Sequence, residues 1–511
     1  MKIQKGIAAA LVFFVALAVA LAPADCAEPK KVILLIGDGM GPQAVGLAIY
    51  YNRFLNGMDK RLNIERVMSA GNTGYCLTYQ HGTVVTDSAS AATALASGVK
   101  TRDAMIGQDP DGRPMANLVD LAQQMGKSTG IISDTRLTHA TPAAFYASVA
   151  HRDREAEIAA QFVARGDVTV AFSGGAEYFV PSGTKVEEHP DLKGIDRKAG
   201  WGSSKRKDTR DLVGEAKKKG YTVVSNDKGV AGLDGQGTEK VLGLFSASGF
   251  PSAIDRPPQA GTGVPTLSKL TGKALEILNR NPKGFFLMVE GGQVDWVAHG
   301  NDVAAVVHEM MEFDKAVGTV LSFLESNPDT LVVVTADHDT GGLTIGYSSH
   351  NPPAPVKLAS GETWKTKYNF GEPVIFEKMA RQKKSFLKMV IDCKGSPAAL
   401  KKEVEENSAF TLTEEEAMFI LAKDPKTGFP VPREYREFYV YANNNPQALM
   451  GRLFGKEMST AWAVGTHTHT PVMVFAQGPQ GEKFRGLLDN VDIPRIIAAG
   501  WGASLPQPRE K

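Results

Sequence analysis

Asp295-Trp296-Val297-Ala298-His299 sets a carboxylate and an imidazole four residues apart. On one helical turn those side chains share a face and can hold one metal ion. Asp337-His338 offers two ligands at adjacent positions, and Thr466-His467-Thr468-His469 offers two more imidazoles. Asp38 stands between glycines in Gly37-Asp38-Gly39-Met40-Gly41, and Glu290 precedes Gly291-Gly292. Taken singly, each has an ordinary explanation: a buried histidine bonded to backbone, or an aspartate that starts a turn. Jointly, hard oxygen ligands plus imidazoles suit zinc with magnesium rather than a thiolate site. Two ions about 4 Å apart can clamp the attacking and leaving oxygens of an in-line displacement.

Such a centre needs a nucleophile, and Thr86-Asp87-Ser88-Ala89-Ser90 offers Ser88. Thr83-Val84-Val85 before it is β-branched and extended in character, so the stretch reads as a strand-to-helix junction. Asp87 or Ser88 can cap the helix that follows, because a short side-chain oxygen accepts from a free N–H. Alanines from Ala89 to Ala96 favour that helix, and Gly98 can end it. Alone, the stretch reads first as a capped, buried helix, since no base stands beside Ser88. An ion lowering the pKa of the serine hydroxyl supplies the missing activation. A second ion stabilises the leaving alkoxide and yields hydroxide near neutral pH. Arg152 is the candidate to clamp two phosphoryl oxygens with its planar fork, although alone it reads as a surface arginine.

Most of these residues follow apolar runs. Val32 to Ile36 reads as a buried central strand ending at Asp38, and ligands in open α/β sheets sit beyond strand carboxyl ends. Ser128–Ser133, Val168–Phe172, Gly284–Val289, Leu331–Val334 and Val472–Ala476 repeat the pattern. Helical patterns lie between, at Met115–Met125, Glu155–Ala164, Thr266–Asn279 and Val303–Leu324. The alternation predicts a three-layer α/β/α sandwich around a mostly parallel central sheet, with a peripheral inserted subdomain. Residues 181–262 read as one insertion, weak in periodicity. Residues 345–461 read as a second, a peripheral subdomain or dimer arm whose helix opens with a capping box at Thr413. The core is thus divided into 28–344 and 462–511. Lys205-Arg206-Lys207 and Lys217-Lys218-Lys219 read as solvated surface.

The 511 residues allow a large core, and 57 basic against 56 acidic residues give no support for a nucleic-acid-binding surface. Lys2 and Lys5, the apolar run Ile7–Leu21 and Ala22-Pro23-Ala24 form a secretory signal peptide within residues 1–27. The run is short for a span of roughly 20 apolar residues. Cleavage after Ala24 and after Ala27 both fit, and the expected location is periplasmic or secreted. Asp25 fits poorly before a lipid-bearing cysteine, which disfavours an anchor through Cys26. For the remaining Cys76 and Cys393, a disulfide and two separate buried thiols both stay open.

These motifs, in this order, resemble those of the alkaline phosphatases. The resemblance rests on Gly-Asp-Gly-Met-Gly at 37–41, Thr-Asp-Ser-Ala at 86–89, Gly-Val-Lys-Thr at 98–101, Ala-Thr-Pro-Ala-Ala at 140–144, Glu-Gly-Gly-Gln-Val-Asp at 290–295 and Thr-Ala-Asp-His at 335–338. It covers about 31–344 and 462–498 and is weak over 345–460. It implies hydrolysis of a broad range of phosphate monoesters through a phosphorylated Ser88, with two zinc ions and one magnesium ion, by a homodimer. Asp38, Asp337 and His338 would hold the zinc that activates Ser88, and Asp295, His299 and His467 the second. Asp38 would bridge to magnesium, with Thr141 and Glu290, and Arg152 would bind phosphate. His139 stands where some members carry an aspartate that orders magnesium-bound water, so the third site is expected to hold magnesium weakly or accept zinc. Trp296 stands where others have Lys or His near the phosphate. Thr-His-Thr-His leaves His467 and His469 as alternatives, and counting back from Gly478-Pro479 favours His467.

Two other readings compete. A phosphodiesterase, phosphonate monoester hydrolase or sulfatase could share the sandwich, although Ser88-Ala-Ser-Ala-Ala lacks the Cys/Ser-x-Pro-x-Arg context of sulfatases. A non-enzymatic metal- or phosphate-binding protein would bind without turnover.

Overall fold

A computed structural model of the chain describes residues 28–195, 202–256, 263–423 and 436–505. The proposed signal peptide and both cleavage positions lie outside the described residues.

Ten strands form the main sheet. In chain order they are Lys31–Gly37 (β1), Thr73–Leu77 (β2), Ser128–Arg136 (β3), Val170–Gly174 (β4), Thr222–Val224 (β5), Val241–Leu244 (β6), Phe285–Gly291 (β7), Thr330–Ala336 (β8), Val472–Gln477 (β9) and Gly486–Asp489 (β10). Their order across the sheet is β10-β2-β9-β8-β1-β7-β3-β4-β6-β5. Val32 to Ile36 are fully buried. A strand without a polar face must be covered on both sides, and β1 accordingly lies inside the sheet, parallel to β7 and β8. Helices cover both faces, giving the three-layer sandwich. The longest, Val303–Ser326, buries an apolar stripe from Val303 to Leu324 and is capped by the Asp302 carboxylate, which accepts from the Ala305 amide.

Strand β9 departs from the rest. It runs antiparallel to both β8 and β2, whereas every other pair is parallel. Its beginning, not its end, therefore lies on the rim where β1, β7 and β8 finish.

Three sequence expectations are corrected. Residues 181–262 are not simply an insertion, because β5 and β6 lie within them and complete one edge of the sheet in parallel pairing. Thr83–Val85 is not a strand. It forms a turn with one isolated bridge, Gln80 to Thr83, and leaves Val84 70% exposed. Arg206 is not solvated: it is buried, and its guanidinium donates to the carbonyls of Ala156 (2.9 Å) and Tyr178 (3.1 Å) and to Asp208. Cys76 and Cys393 are separate buried thiols. The Thr413 capping box forms as expected, with Thr413 and Glu416 each accepting from the other's amide.

The second inserted stretch leaves the core at Leu343–Ile345 and returns at Thr460–Trp462, and these two segments pair antiparallel. Between them lie helices that include Phe386–Asp392 and Asn445–Met458. Asp302 ties this stretch to the core, accepting from the Phe386 amide (2.6 Å) and the Gln382 side chain (2.9 Å).

Glu309, on the long helix, is buried and accepts from Ser252 Oγ (2.6 Å) and the Ala253 amide (2.7 Å). Burial pushes its carboxyl from an ordinary 4.5 up to about 8, against the pull of Arg256. The folded chain then binds this proton more tightly than the unfolded chain, so stability falls as pH rises from about 4.5 to 8 and stays low above. Glu309→Gln keeps an acceptor without a charge. It is expected to raise the melting temperature by a few degrees at pH 9 and to have no such benefit near pH 4.5, as thermal melts at both pH values would show.

Candidate active site

Asp38 follows β1, Glu290 is the last residue but one of β7, and Asp337 with His338 follows β8, so three adjacent parallel strands deliver four side chains to one rim. Gly39 lets the chain turn there. Its φ is +71°, and a Cβ would lie 2.8 Å from both Asp295 Cα and Thr340 Oγ1. His467 reaches the same rim from the start of β9, where His467–Thr468 pairs antiparallel with Asp339–Thr340. Ser88 is the first residue of the helix Ser88–Ser97, which Asp87 caps by accepting from the Ser90 amide at 2.9 Å. The serine thus sits where free amides and the helix dipole favour an anion.

Ser88 Oγ lies 3.2 Å from His338 Nε2. The same nitrogen lies 3.2 Å from Asp337 Oδ2 and 3.4 Å from Asp38 Oδ1. One ring nitrogen cannot serve three oxygens as a hydrogen-bond partner, but oxygens and a nitrogen gathered around one point form a coordination shell. His338 Nδ1 faces the Thr340 hydroxyl at 3.3 Å, not a carboxylate, so the Ser-His-Asp relay is absent. Burial, reinforced by the charge of His467, pulls the His338 pKa well below its usual range and keeps the ring neutral.

Asp295 lies 3.2 Å from His299 Nε2 and 3.5 Å from His467 Nε2. Each ring donates its other nitrogen's proton to a backbone carbonyl: His299 Nδ1 to Gly465 at 2.8 Å, and His467 Nδ1 to Thr86 at 2.9 Å. Those bonds leave both Nε2 atoms facing the carboxylate. Burial raises the Asp295 pKa, but His299 and His467 outweigh it and hold the carboxyl well below its normal value. His469 is exposed and does not join this group.

Glu290 is buried against the hydroxyls of Ser133 and Thr135, the latter at 3.2 Å. Thr141 Oγ1 and Glu290 Oε1 are buried with no hydrogen-bond partner among the described residues, and the same holds for both Asp38 oxygens, Asp337 Oδ2 and His139 Nδ1. Ligand atoms of Asp38, His139 and Glu290 lie within 4.8 Å of one another, as do those of Asp38, Asp337 and His338, and those of Asp295, His338 and His467. Arg152 donates to Asp87 Oδ2 at 3.1 Å and lies 3.0 Å from His139 Nε2. Burial and the neighbouring Arg152 and Arg136 charges pull His139 well below its ordinary pKa. Trp296 packs edge-on against His139, with ring centroids 5.6 Å apart, while the Arg136 guanidinium lies over its ring.

The donor set fits divalent cations. Asp38, Glu290, Asp295 and Asp337 are all buried on one rim, an arrangement that is costly without compensating charge. Burial, then mutual repulsion, pushes Asp38 well up. Burial lifts Glu290 to about 7 and Asp337 to about 8. Orphaned carboxylate oxygens beside imidazole nitrogens are a donor set that could hold cations.

Ser88, His139, Asp295, His299 and His467 line a cleft of about 760 Å³ that also exposes Arg152, Trp296 and a wall of the inserted stretch between Val440 and Gln447. Sequence reading missed several supports. Thr340 donates to Asp295 Oδ1 at 2.5 Å, and Ser133 and Thr135 hold Glu290; all three are plain strand-end hydroxyls whose partners are remote in sequence. Asp87 was legible as a cap, but its grip on Arg152 was not. The polar end of β3, Ser-Asp-Thr, was the one available hint.

The alkaline phosphatase family model matches residues 29–501. Alkaline phosphatase 4 of Bacillus subtilis is 32% identical over 484 residues, covering 93% of this chain and 89% of that protein. The crystal structure of Thermus thermophilus alkaline phosphatase is similar with a TM-score of 0.78 at 25% identity, covering 95% of this chain and 94% of that one. A cold-active alkaline phosphatase from Shewanella sp. is similar with a TM-score of 0.70 at 28% identity, covering 93% and 100%.

Proposed function

This chain belongs to the alkaline phosphatase family and hydrolyses phosphate monoesters, and on that premise we propose that Ser88 is the nucleophile and is transiently phosphorylated. The observation that carries this reading is the Ser88 hydroxyl at a helix start, 3.2 Å from His338 Nε2, among carboxylate oxygens that have no hydrogen-bond partner among the described residues. Asp38, Asp337 and His338 would hold a zinc ion beside it; Asp295, His299 and His467 a second; Asp38, Thr141 and Glu290 a magnesium ion. When bound, the ions supply Lewis acidity that lowers oxygen pKa values and neutralises developing charge. His139, beside Asp38 and Glu290, favours a third position that holds magnesium weakly or accepts zinc.

The protein's own groups do the positioning. Ser88 Oγ forms the new bond to phosphorus as the bond to the ester oxygen breaks. The free amides of the helix start face the oxygens of the phosphoryl group. Arg152 presents its fork to two non-bridging oxygens, and Asp87 fixes that fork in place. Burial lowers the guanidinium's pKa, but Asp87 and Asp38 outweigh it, so the clamp stays charged at alkaline pH. Water then cleaves the phosphoserine, releases inorganic phosphate and restores Ser88. Trp296 offers no charge to the phosphate, which favours easy product release.

We also infer that the mature chain is periplasmic or secreted and acts as a homodimer. Export is supported by the basic, apolar and small-residue order of residues 1–27. Among the described residues no helix is long and apolar enough to cross a membrane. Dimerisation rests on the family resemblance.

Rates on p-nitrophenyl phosphate and bis(p-nitrophenyl) phosphate test the reaction class. The monoester is expected to be turned over faster by orders of magnitude, and Arg152→Ala to cut its kcat/KM by roughly a hundredfold, while Lys at this position restores only part. A faster diester reaction, insensitive to Arg152, would overturn the assignment.

A further inference from the structure

The cleft is far larger than a phosphoryl group requires. Its volume of about 760 Å³ lies within the roughly 300–1,000 Å³ typical of sites that enclose a whole small molecule. One wall belongs to none of the strand ends: Val440 to Gln447, in the inserted stretch, lines the same space as Ser88 and Arg152. Tyr441 leads it. Its ring meets that of His299 edge-on, with centroids 4.7 Å apart, yet 46% of the residue remains exposed. Asn443 is exposed and Asn444 half-buried, and among the described residues neither side chain has a hydrogen-bond partner.

His299 faces Asp295 at 3.2 Å, in the group that would hold the second ion, whose chemistry on the proposed reading is to stabilise the departing ester oxygen. The organic part of a substrate therefore leaves the phosphorus beside Tyr441. That wall offers a flat aromatic surface followed by two amides able to donate and accept. A flat group with a hydrogen-bonding edge matches both features, whereas a simple aryl group matches only the first and a polyol only the second. We propose that Tyr441, with Asn443 and Asn444, forms a leaving-group subsite that takes the base of a nucleoside monophosphate. The subsite rests on the reading of the Ser88 centre as the phosphomonoesterase site. It gives the inserted stretch a part in substrate choice.

Adenosine 5′-monophosphate and ribose 5-phosphate share the phosphoryl group and a primary alcohol leaving group and differ by the base. Tyr441→Ala is expected to lower the ratio of their kcat/KM values about tenfold, through KM for the nucleotide, as loss of one base–aromatic stack would. Tyr441→Phe, which keeps the ring, is expected to hold the ratio within about twofold of the parent. Adenosine itself, without a phosphoryl group, is expected to inhibit the parent competitively and to inhibit Tyr441→Ala about tenfold less well. An unchanged ratio in Tyr441→Ala, or an equal fall in Tyr441→Phe, would overturn the subsite. If the parent hydrolyses neither ester, nor an aryl phosphate, the phosphomonoesterase reading itself falls.

Discussion

Ser88→Ala is expected to lower kcat on p-nitrophenyl phosphate by roughly a thousandfold or more, while the variant still binds metals and melts at the parent temperature. The size of the loss follows from the absence of a substitute. Ser90 and Thr86 are nearby hydroxyls, but both are engaged in one network: Ser90 Oγ lies 2.8 Å from Thr86 Oγ1 and 2.7 Å from Asp87 Oδ1. The retained stability follows from position. Ser88 is 1% exposed at the first position of a helix, where alanine is well tolerated, and its side chain has His338 as its one hydrogen-bond partner among the described residues. The proposed metal ligands all lie elsewhere in the chain. Rapid-quench labelling with radioactive phosphate gives a second readout, since the parent should carry a phosphoserine at acid pH and the variant should not. Full activity in Ser88→Ala, with metal content unchanged, would sink the assignment.

Stripping the metals with a chelator is expected to abolish turnover and to lower the melting temperature by about 10 °C or more at pH 9, but far less at pH 6. The pH dependence comes from the buried carboxyls. Without cations Asp38 is raised by burial and repulsion, Glu290 stands at about 7 and Asp337 at about 8. Each folded-state value exceeds the unfolded one, so the metal-free fold takes up protons that the unfolded chain does not. The stability these three groups contribute is fully present below about pH 4 and is lost as pH rises through 7 to 8. Asp295 runs the other way, since His299 and His467 hold it low, but it is one carboxyl against three. Cations reverse the raised group, because they favour the ionised form of every ligand. Calorimetry of loaded and stripped protein across pH 5 to 9 checks this. A loss of stability that is equal at both ends of the range would contradict it.

The strand ends that carry the ligands were legible in sequence because β1, β7 and β8 are apolar on both faces and stop at Asp38, Glu290 and Asp337. Such runs are long enough to be distinct, and their acids are conspicuous. Other features left no such mark. β5 and β6, the last two strands on one side of the sheet, are three and four residues long, too brief to establish a period. The direction of β9 was hidden because a buried apolar strand reads the same in either orientation. Thr83–Val85 has strand composition, but no partner beyond the Gln80 bridge and no cover over Val84. Arg206 looked like surface within a basic run, yet carbonyls and Asp208 from its own neighbourhood satisfy it inside the fold. Tyr441 had no signal at all: only the folded return of the inserted stretch brings it to His299.

The reversed strand also bears on the order of events as the polypeptide is made. Emerging amino end first, the chain has Asp38, Ser88, Asp295, His299, Asp337 and His338 long before it has His467. That imidazole, on the short segment that pairs with Asp339–Thr340, is made much later, and β9 must then slot between β2 and β8, already made. A chain that stops short of His467 is thus expected to be inert with nearly its whole proposed active centre synthesised. The strand behind His467 thus acts as a late check on synthesis: until it is in place, Asp295 and His299 lack the third member of their proposed group, and the hydrolase is expected to stay silent.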